Sequence, residues 1–105
     1  MTSQETPTWA TRANYWSGWR AIGGRLALDE SHLTFKPHAL ERALGGRRNF
    51  DAPLNDIESI VVERRGGVPR KRLYVRLRDG TEAAFLVPNA DDRAADLRRV
   101  TNGGP

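Results

Sequence analysis

The sequence predicts a mainly β domain: a small seven-stranded antiparallel barrel of two bent sheets with one C-terminal helix. Three observations carry that reading. Leu26 and Leu28, then Leu33 and Phe35, alternate with other residues on either side of Asp29, Glu30, Ser31 and His32, as in a tight hairpin with one apolar face. Turn residues recur at short intervals, at Gly23–Gly24, Pro53, Gly66–Gly67 and Asp79–Gly80. The longest helical run comes last, from Asn89 to Val100. Strands with one apolar face must bury it and cover their edges, so they bend into a barrel and the helix covers one open end.

Each element follows from its residues. Residues 14–22 hold Tyr15, Trp16, Trp19 and Ile22 and read as a first strand, with Gly18 marking a bulge or a close backbone approach. Residues 25–36 supply strands two and three, and Pro37 stops the third because proline cannot donate to a ladder. Leu40 and Leu44, four apart before Gly45–Gly46, predict one or two helical turns resting on the sheet rim. Phe50 anchors a weak fourth strand over 48–52.

The β-branched run 57–64 is the fifth strand. Residues 71–78 are the sixth, with Leu73, Val75 and Leu77 on one face. If Val62 lies opposite Leu73, then Glu63 lies opposite Arg72. Asp79–Gly80 turns the chain into the seventh strand, 82–87. Burying Phe85 favours a left-handed Gly80 and a register that sets Val75 against Phe85 and Arg78 against Glu82. Asn89 is the expected N-cap of helix 89–100, with Asp91 and Asp92 at its positive end and Arg98 and Arg99 at its negative end. Leu97 and Val100 face the sheet. The expected core is Leu26, Leu28, Leu33, Phe35, Ile60, Val62, Leu73, Val75 and Phe85, joined by Trp16 or Trp19. Trp9 is expected to cover an edge or to meet a partner.

A chain of 105 residues fits one domain. Residues 1–11 read as a flexible segment, 12–100 as the domain and 101–105 as a flexible tail. At 38% hydrophobic and 29% charged, the composition fits neither a membrane-spanning nor a disordered chain. No apolar run approaches the ~20 residues of a membrane span, and the N-terminus has no basic segment leading into an apolar one, so no secretory signal is expected; a small domain without cysteine fits a cytoplasmic address. With no cysteine there is neither a disulfide frame nor a thiolate metal site.

Three stretches resemble the GRAM branch of the pleckstrin-homology-like superfold. Gly24, Arg25, Leu26, Ala27, Leu28 and Asp29, followed by His32, Leu33, Thr34, Phe35 and Lys36, resemble its glycine–basic–leucine, turn, leucine-x-phenylalanine pattern. Pro53, Leu54, Asp56, Ile57 and Ile60 resemble its proline–leucine, aspartate–isoleucine strand entry, and Leu77 to Gly80 with Phe85 its penultimate hairpin. The match spans residues 15–100. The resemblance implies a PH-like barrel serving as a binding module for phosphoinositides, peptides or other proteins, with no catalysis of its own.

No catalytic constellation is legible. His32 and His38 are the only histidines, and neither stands at metal-ligand spacing from a second ligand, so no metal and no cofactor is expected. Asp91 and Asp92 are explained by the helix start, and the glycine pairs lack the strand, lysine and helix of a phosphate loop. One segment differs. Residues 64–78 hold Arg64, Arg65, Arg70, Lys71, Arg72, Arg76 and Arg78 and no acid. Alternation sends Arg72, Tyr74, Arg76 and Arg78 to the outer face, beside a turn carrying Arg64, Arg65, Arg70 and Lys71. Guanidinium forks bind phosphate and carboxylate groups well, so Arg64, Arg65, Arg70, Lys71, Arg72 and Tyr74 are the candidate ligand-binding residues. The competing reading is an ordinary solvated strand face, with Glu63 neutralising Arg72 and Glu82 neutralising Arg78. The turn offers only Val68 for insertion into a bilayer, which favours a protein partner over an anionic membrane lipid. Nucleic acid is the alternative, through the basic face around Tyr74, but base stacking uses more exposed aromatics than this face supplies.

Overall fold

The computed structural model describes residues 8–17, 20–38, 49–65 and 70–101. Seven strands form one antiparallel sheet: β1 (Trp9–Ser17), β2 (Arg20–Leu28), β3 (His32–Pro37), β4 (Phe50–Pro53), β5 (Ile57–Glu63), β6 (Arg72–Leu77) and β7 (Glu82–Leu86). A 3-10 turn, Leu54–Asp56, joins β4 to β5, and helix α1 (Ala90–Thr101) follows β7. Across the sheet the order is β4-β3-β2-β1-β7-β6-β5.

The sheet bends over on itself. On a flat sheet, β4 and β7 would lie four strand spacings apart, about 19 Å. Instead the rings of Phe50 and Phe85 meet at 5.4 Å between centroids. Tyr15 joins them, 5.0 Å from Phe85 and 5.3 Å from Phe35. These rings sit among Leu26, Leu28, Leu33, Ile60, Leu73 and Val75, all buried. The expected core is therefore present, with Val62 only partly buried against it. Gly24 of β2 lies opposite Pro37 of β3. A Cβ there would collide with the Lys36 carbonyl oxygen and lie 2.6 Å from the Phe35 ring.

The first two strands divide the chain differently from the sequence reading. The aromatic run expected as one strand, 14–22, is a hairpin: Tyr15 pairs with Ile22, Trp16 with Ala21 and Ser17 with Arg20. The count of seven holds because the second half of that run continues into the strand expected at 25–28. β1 also begins at Trp9, before the expected domain start at Arg12. Trp9 packs against the core, and its Nε1 donates to Asp96 Oδ2 at 3.1 Å, tying the strand to α1. Trp16 is not core. It lies on the outer face, half-buried, while its neighbour Tyr15 turns inward. The expectations for Gly18, Trp19, the 38–44 helical turns and the Gly66–Gly67 turn fall on positions outside the described residues, except His38.

Val62 faces Leu73 and Glu63 faces Arg72, as expected. The β6–β7 register differs. Leu73 faces Phe85, Val75 faces Ala83 and Arg76 faces Glu82. The loop closes earlier than expected, with the Leu77 amide donating to the Thr81 carbonyl at 2.8 Å and the Gly80 amide to the Leu77 carbonyl at 3.0 Å. Gly80 does adopt positive φ, 95°. A shift of two residues preserves the inward face, so Phe85 is buried all the same. Asn89 stands at the expected N-cap position, but with φ 55°, a left-handed geometry that asparagine tolerates and that differs from the extended one typical there. Its carbonyl accepts the Arg93 amide at 3.0 Å. Leu97 and Ala94 are buried under the helix, with Val100 partly so. Arg98 reaches back to β5 at the sheet edge, its Nη2 donating to the Ile60 carbonyl at 2.9 Å.

Phe35→Ala is expected to cost about 3–5 kcal/mol in denaturant unfolding, because it empties the centre of the ring cluster. Gly24→Ala should also destabilise, by about 1–3 kcal/mol, because backbone rather than a mobile side chain blocks its Cβ. A loss below about 0.5 kcal/mol in either melt contradicts the packing described. Two turn aspartates supply a pH test. Asp29 accepts the amides of Ser31 and His32, and Asp79 accepts the amide of Thr81; these bonds hold both carboxyls below the ordinary aspartate value. Both contributions to stability are then present above pH of about 4 and are lost as pH falls through the lower folded values. Side-chain titration by NMR should place both midpoints below that of a model peptide.

Candidate functional site

The basic segment expected to act as one surface divides in two. Arg65 bends back over its own sheet. It ion-pairs with Glu63, and its Nη1 donates to Glu82 Oε1 at 2.8 Å. These carboxylate bonds, Glu82 first, raise its pKa further above the usual arginine range. Its guanidinium also lies 3.8 Å from the centre of the Tyr74 ring. Tyr74 does point away from Leu73 and Val75, but under Arg65 it is only 7% exposed. The exposure expected for that aromatic is therefore absent, because the neighbouring arginine covers it. Glu82 serves Arg65 rather than Arg78.

Other members of the segment are similarly engaged. The Arg72 guanidinium stacks 4.1 Å over Trp16. Arg78 Nε donates to the Asn55 carbonyl at 2.7 Å, and Arg76 stands 3.8 Å from Glu58. The outer face of β1, β7, β6 and β5 thus carries a row of Trp16, Ala84, Tyr74 and Val61 in register, with two arginines as lids. Stacking of this kind is worth about 0.5–1 kcal/mol at an exposed site and more where water is displaced.

Arg64, Arg70 and Lys71 behave otherwise. All three are exposed. Lys71 has a loose contact with Asp91, 3.4 Å, in which both side chains are more than half exposed, so it restrains Lys71 weakly. Arg70 and Lys71 form one wall of a groove of about 430 Å³ on the outer face. Arg12 and His38 stand on the other sides, and Gly23, Asn14 and Leu86 lie across β2, β1 and β7 between them. Among the described residues, no carboxylate lines this groove. Sequence reasoning found Arg70 and Lys71 but missed Arg12, Asn14, Gly23 and His38. Only alternation in β1 hinted that Arg12 and Asn14 face outward.

Catalytic geometry is not assembled at the Ser31–His32 contact. Ser31 Oγ lies 2.8 Å from His32 Nδ1, but Asp29 takes the Ser31 and His32 amides instead of orienting the imidazole. These are the bonds of a tight turn. Among the described residues, no three histidine or acidic side chains gather as a metal site would need.

No family model matches the sequence, and no curated protein sequence matches it. Solved structures do. A C-terminal domain of an unknown protein from Leishmania infantum superposes with a TM-score of 0.72 at 13% identity, over 89% of this chain and 81% of that one. The PH domain of human oxysterol binding protein-related protein 11 follows, with a TM-score of 0.68, 10% identity, and 98% and 87% coverage. The Vps36 N-terminal PH domain gives 0.61 at 11% identity, over 90% and 80%. The chain therefore has a PH-like fold. At these identities the likeness concerns the fold alone.

If Arg72 is the lid on Trp16, Arg72→Ala should shift the tryptophan emission to the red and increase its quenching by acrylamide, with the fold retained. An unchanged spectrum would mean that the stacked pair does not persist in solution.

Proposed function

We propose that this domain is a noncatalytic binding module that contacts an acidic partner through its basic 64–72 segment, and that it acts in the cytoplasm. The GRAM-like stretches at 24–36, 53–60 and 77–85 support placing it in the GRAM branch. PH-like domains generally serve as binding modules for lipids or proteins, and the electrostatics here fit that role. The observation that carries the reading is that Arg70, Lys71 and Arg12 line one groove with no acid among its described lining residues. Cations left this way attract anions at long range, in a salt-dependent manner. Arg64 adds charge at the same end. Arg65, Arg72 and Tyr74 instead build the supporting face, so their contribution to binding is indirect.

A protein partner is favoured over an anionic membrane because the groove lies on a strand face instead of at a projecting tip. The burial of Tyr74, the aromatic expected on the basic face, disfavours nucleic acid, since base stacking needs exposed rings. No helix among the described residues is long and apolar enough to cross a membrane.

Replacing Arg64, Arg65, Arg70 and Lys71 together by serine should abolish retention on immobilised polyglutamate at low salt. Arg70→Ser with Lys71→Ser alone should account for most of that loss, and Arg65→Ser for little. Wild-type retention should itself fade as salt rises. Retention unchanged in the quadruple variant, with a preserved melting curve, would overturn the proposal.

A further inference from the structure

The groove is shaped for more than charge. Its floor runs over Gly23, Asn14 and Leu86, and Val87 and Pro88 border it where the chain leaves β7. β7 ends at Leu86, opposite Asn14, while β1 runs back to Trp9, so β1 has no β7 partner beyond this point. Gly23 contributes no side chain to the floor. A Cβ there would lie 3.4 Å from Asn14 Oδ1 and 3.5 Å from the His38 ring, ordinary contact distances, so the fold does not demand glycine. What glycine provides is depth.

We propose that this groove binds an extended acidic peptide, with one carboxylate between Arg12 and the Arg70–Lys71 wall and an apolar side chain two residues away resting on Leu86 and Pro88. The inference rests on the binding-module reading and assigns it a seat and a ligand chemistry. Charge complementarity selects the anion: the groove presents three permanent cations and an imidazole, which offers a ring nitrogen donor in either tautomer. Guanidinium and ammonium groups pair well with carboxylates. The apolar border selects the neighbour. In an extended peptide, residues i and i+2 share a face about 6.8 Å apart, a spacing that sets an acidic and an apolar side chain side by side within one groove. A membrane headgroup would instead carry its apolar part away from the protein face. Lys71 would exchange its exposed contact with Asp91 for the ligand carboxylate.

The test uses two peptides and two variants, read by calorimetry. One peptide alternates glutamate and leucine at every second position with serine between; in the other, every leucine is serine. Wild type should bind the first about tenfold more tightly, the effect of seating one leucine side chain. Gly23→Val fills the floor without changing charge and should lose that preference and at least about tenfold in affinity. Melting curves confirm the fold of each variant. If Gly23→Val binds both peptides like wild type while Arg70→Ser with Lys71→Ser does not, the basic surface works but the groove is not its seat, and this inference falls alone. If phosphatidylserine vesicles bind tightly and neither peptide does, the seat belongs to a membrane and the inference is overturned. If wild type binds neither peptides, polyglutamate nor vesicles, the binding-module reading fails with it.

Discussion

Closure of the sheet depends on one contact group, the rings of Tyr15, Phe35, Phe50 and Phe85. They come from β1, β3, β4 and β7, and Tyr15 and Phe85 each meet the other three with centroids between 5.0 and 6.2 Å apart. Tilted and edge-on arrangements of this kind suit the charge distribution of aromatic rings. They also draw the two halves of the sheet together across strands that are not neighbours. Without them, β4 and β7 would have no reason to meet, the apolar faces would remain apart, and α1 would have no rim to cover. Gly24 belongs to the same constraint. The close approach of β2 to Pro37 and Lys36 leaves the Phe35 ring its place in the cluster.

The outer face follows a different logic. An open sheet surface carrying Trp16, Tyr74, Val61 and Ala84 would be an association hazard. Arg65 and Arg72 lie over the two aromatics and keep charge at the surface. Glu63 and Glu82 then hold Arg65 in position. The result is a sorted set of cations. Those over aromatics and acids stabilise the face. Those beyond it, at Arg70 and Lys71, keep their charge available beside a groove. A basic count taken along the sequence does not distinguish the two sets.

The helix shows the same division between local and distant causes. Its charges run with the dipole, acids at the start and arginines at the end. Yet its seat is decided by partners far along the chain: Trp9 holding Asp96, Ile60 receiving Arg98, and the buried Leu97. A helix of 12 residues is marginal by itself, so these contacts carry most of its stability.

Alternation by itself determined the inward faces. Leu26, Leu28, Leu33, Phe35, Leu73, Val75 and Phe85 all point where their spacing says, because a period of two admits only two choices and burial selects one. The hairpins at Asp29–Ser31 and Asp79–Gly80, and the helix from 90, were equally legible from turn chemistry. Tertiary structure decided the rest. Whether the aromatic run formed one strand or two paired ones depended on its partners, and the pairing of Tyr15 with Ile22 is a contact between segments. The β6–β7 register moved by two residues, a shift that preserves facing and so leaves no mark in the hydrophobic pattern. Tyr74 was readable as outward but not as covered, since its cover is Arg65, fixed by Glu82 from another strand. The groove was least legible of all. Arg12, Gly23, His38 and Lys71 come from separate segments, and only the folding of the sheet sets them around one space.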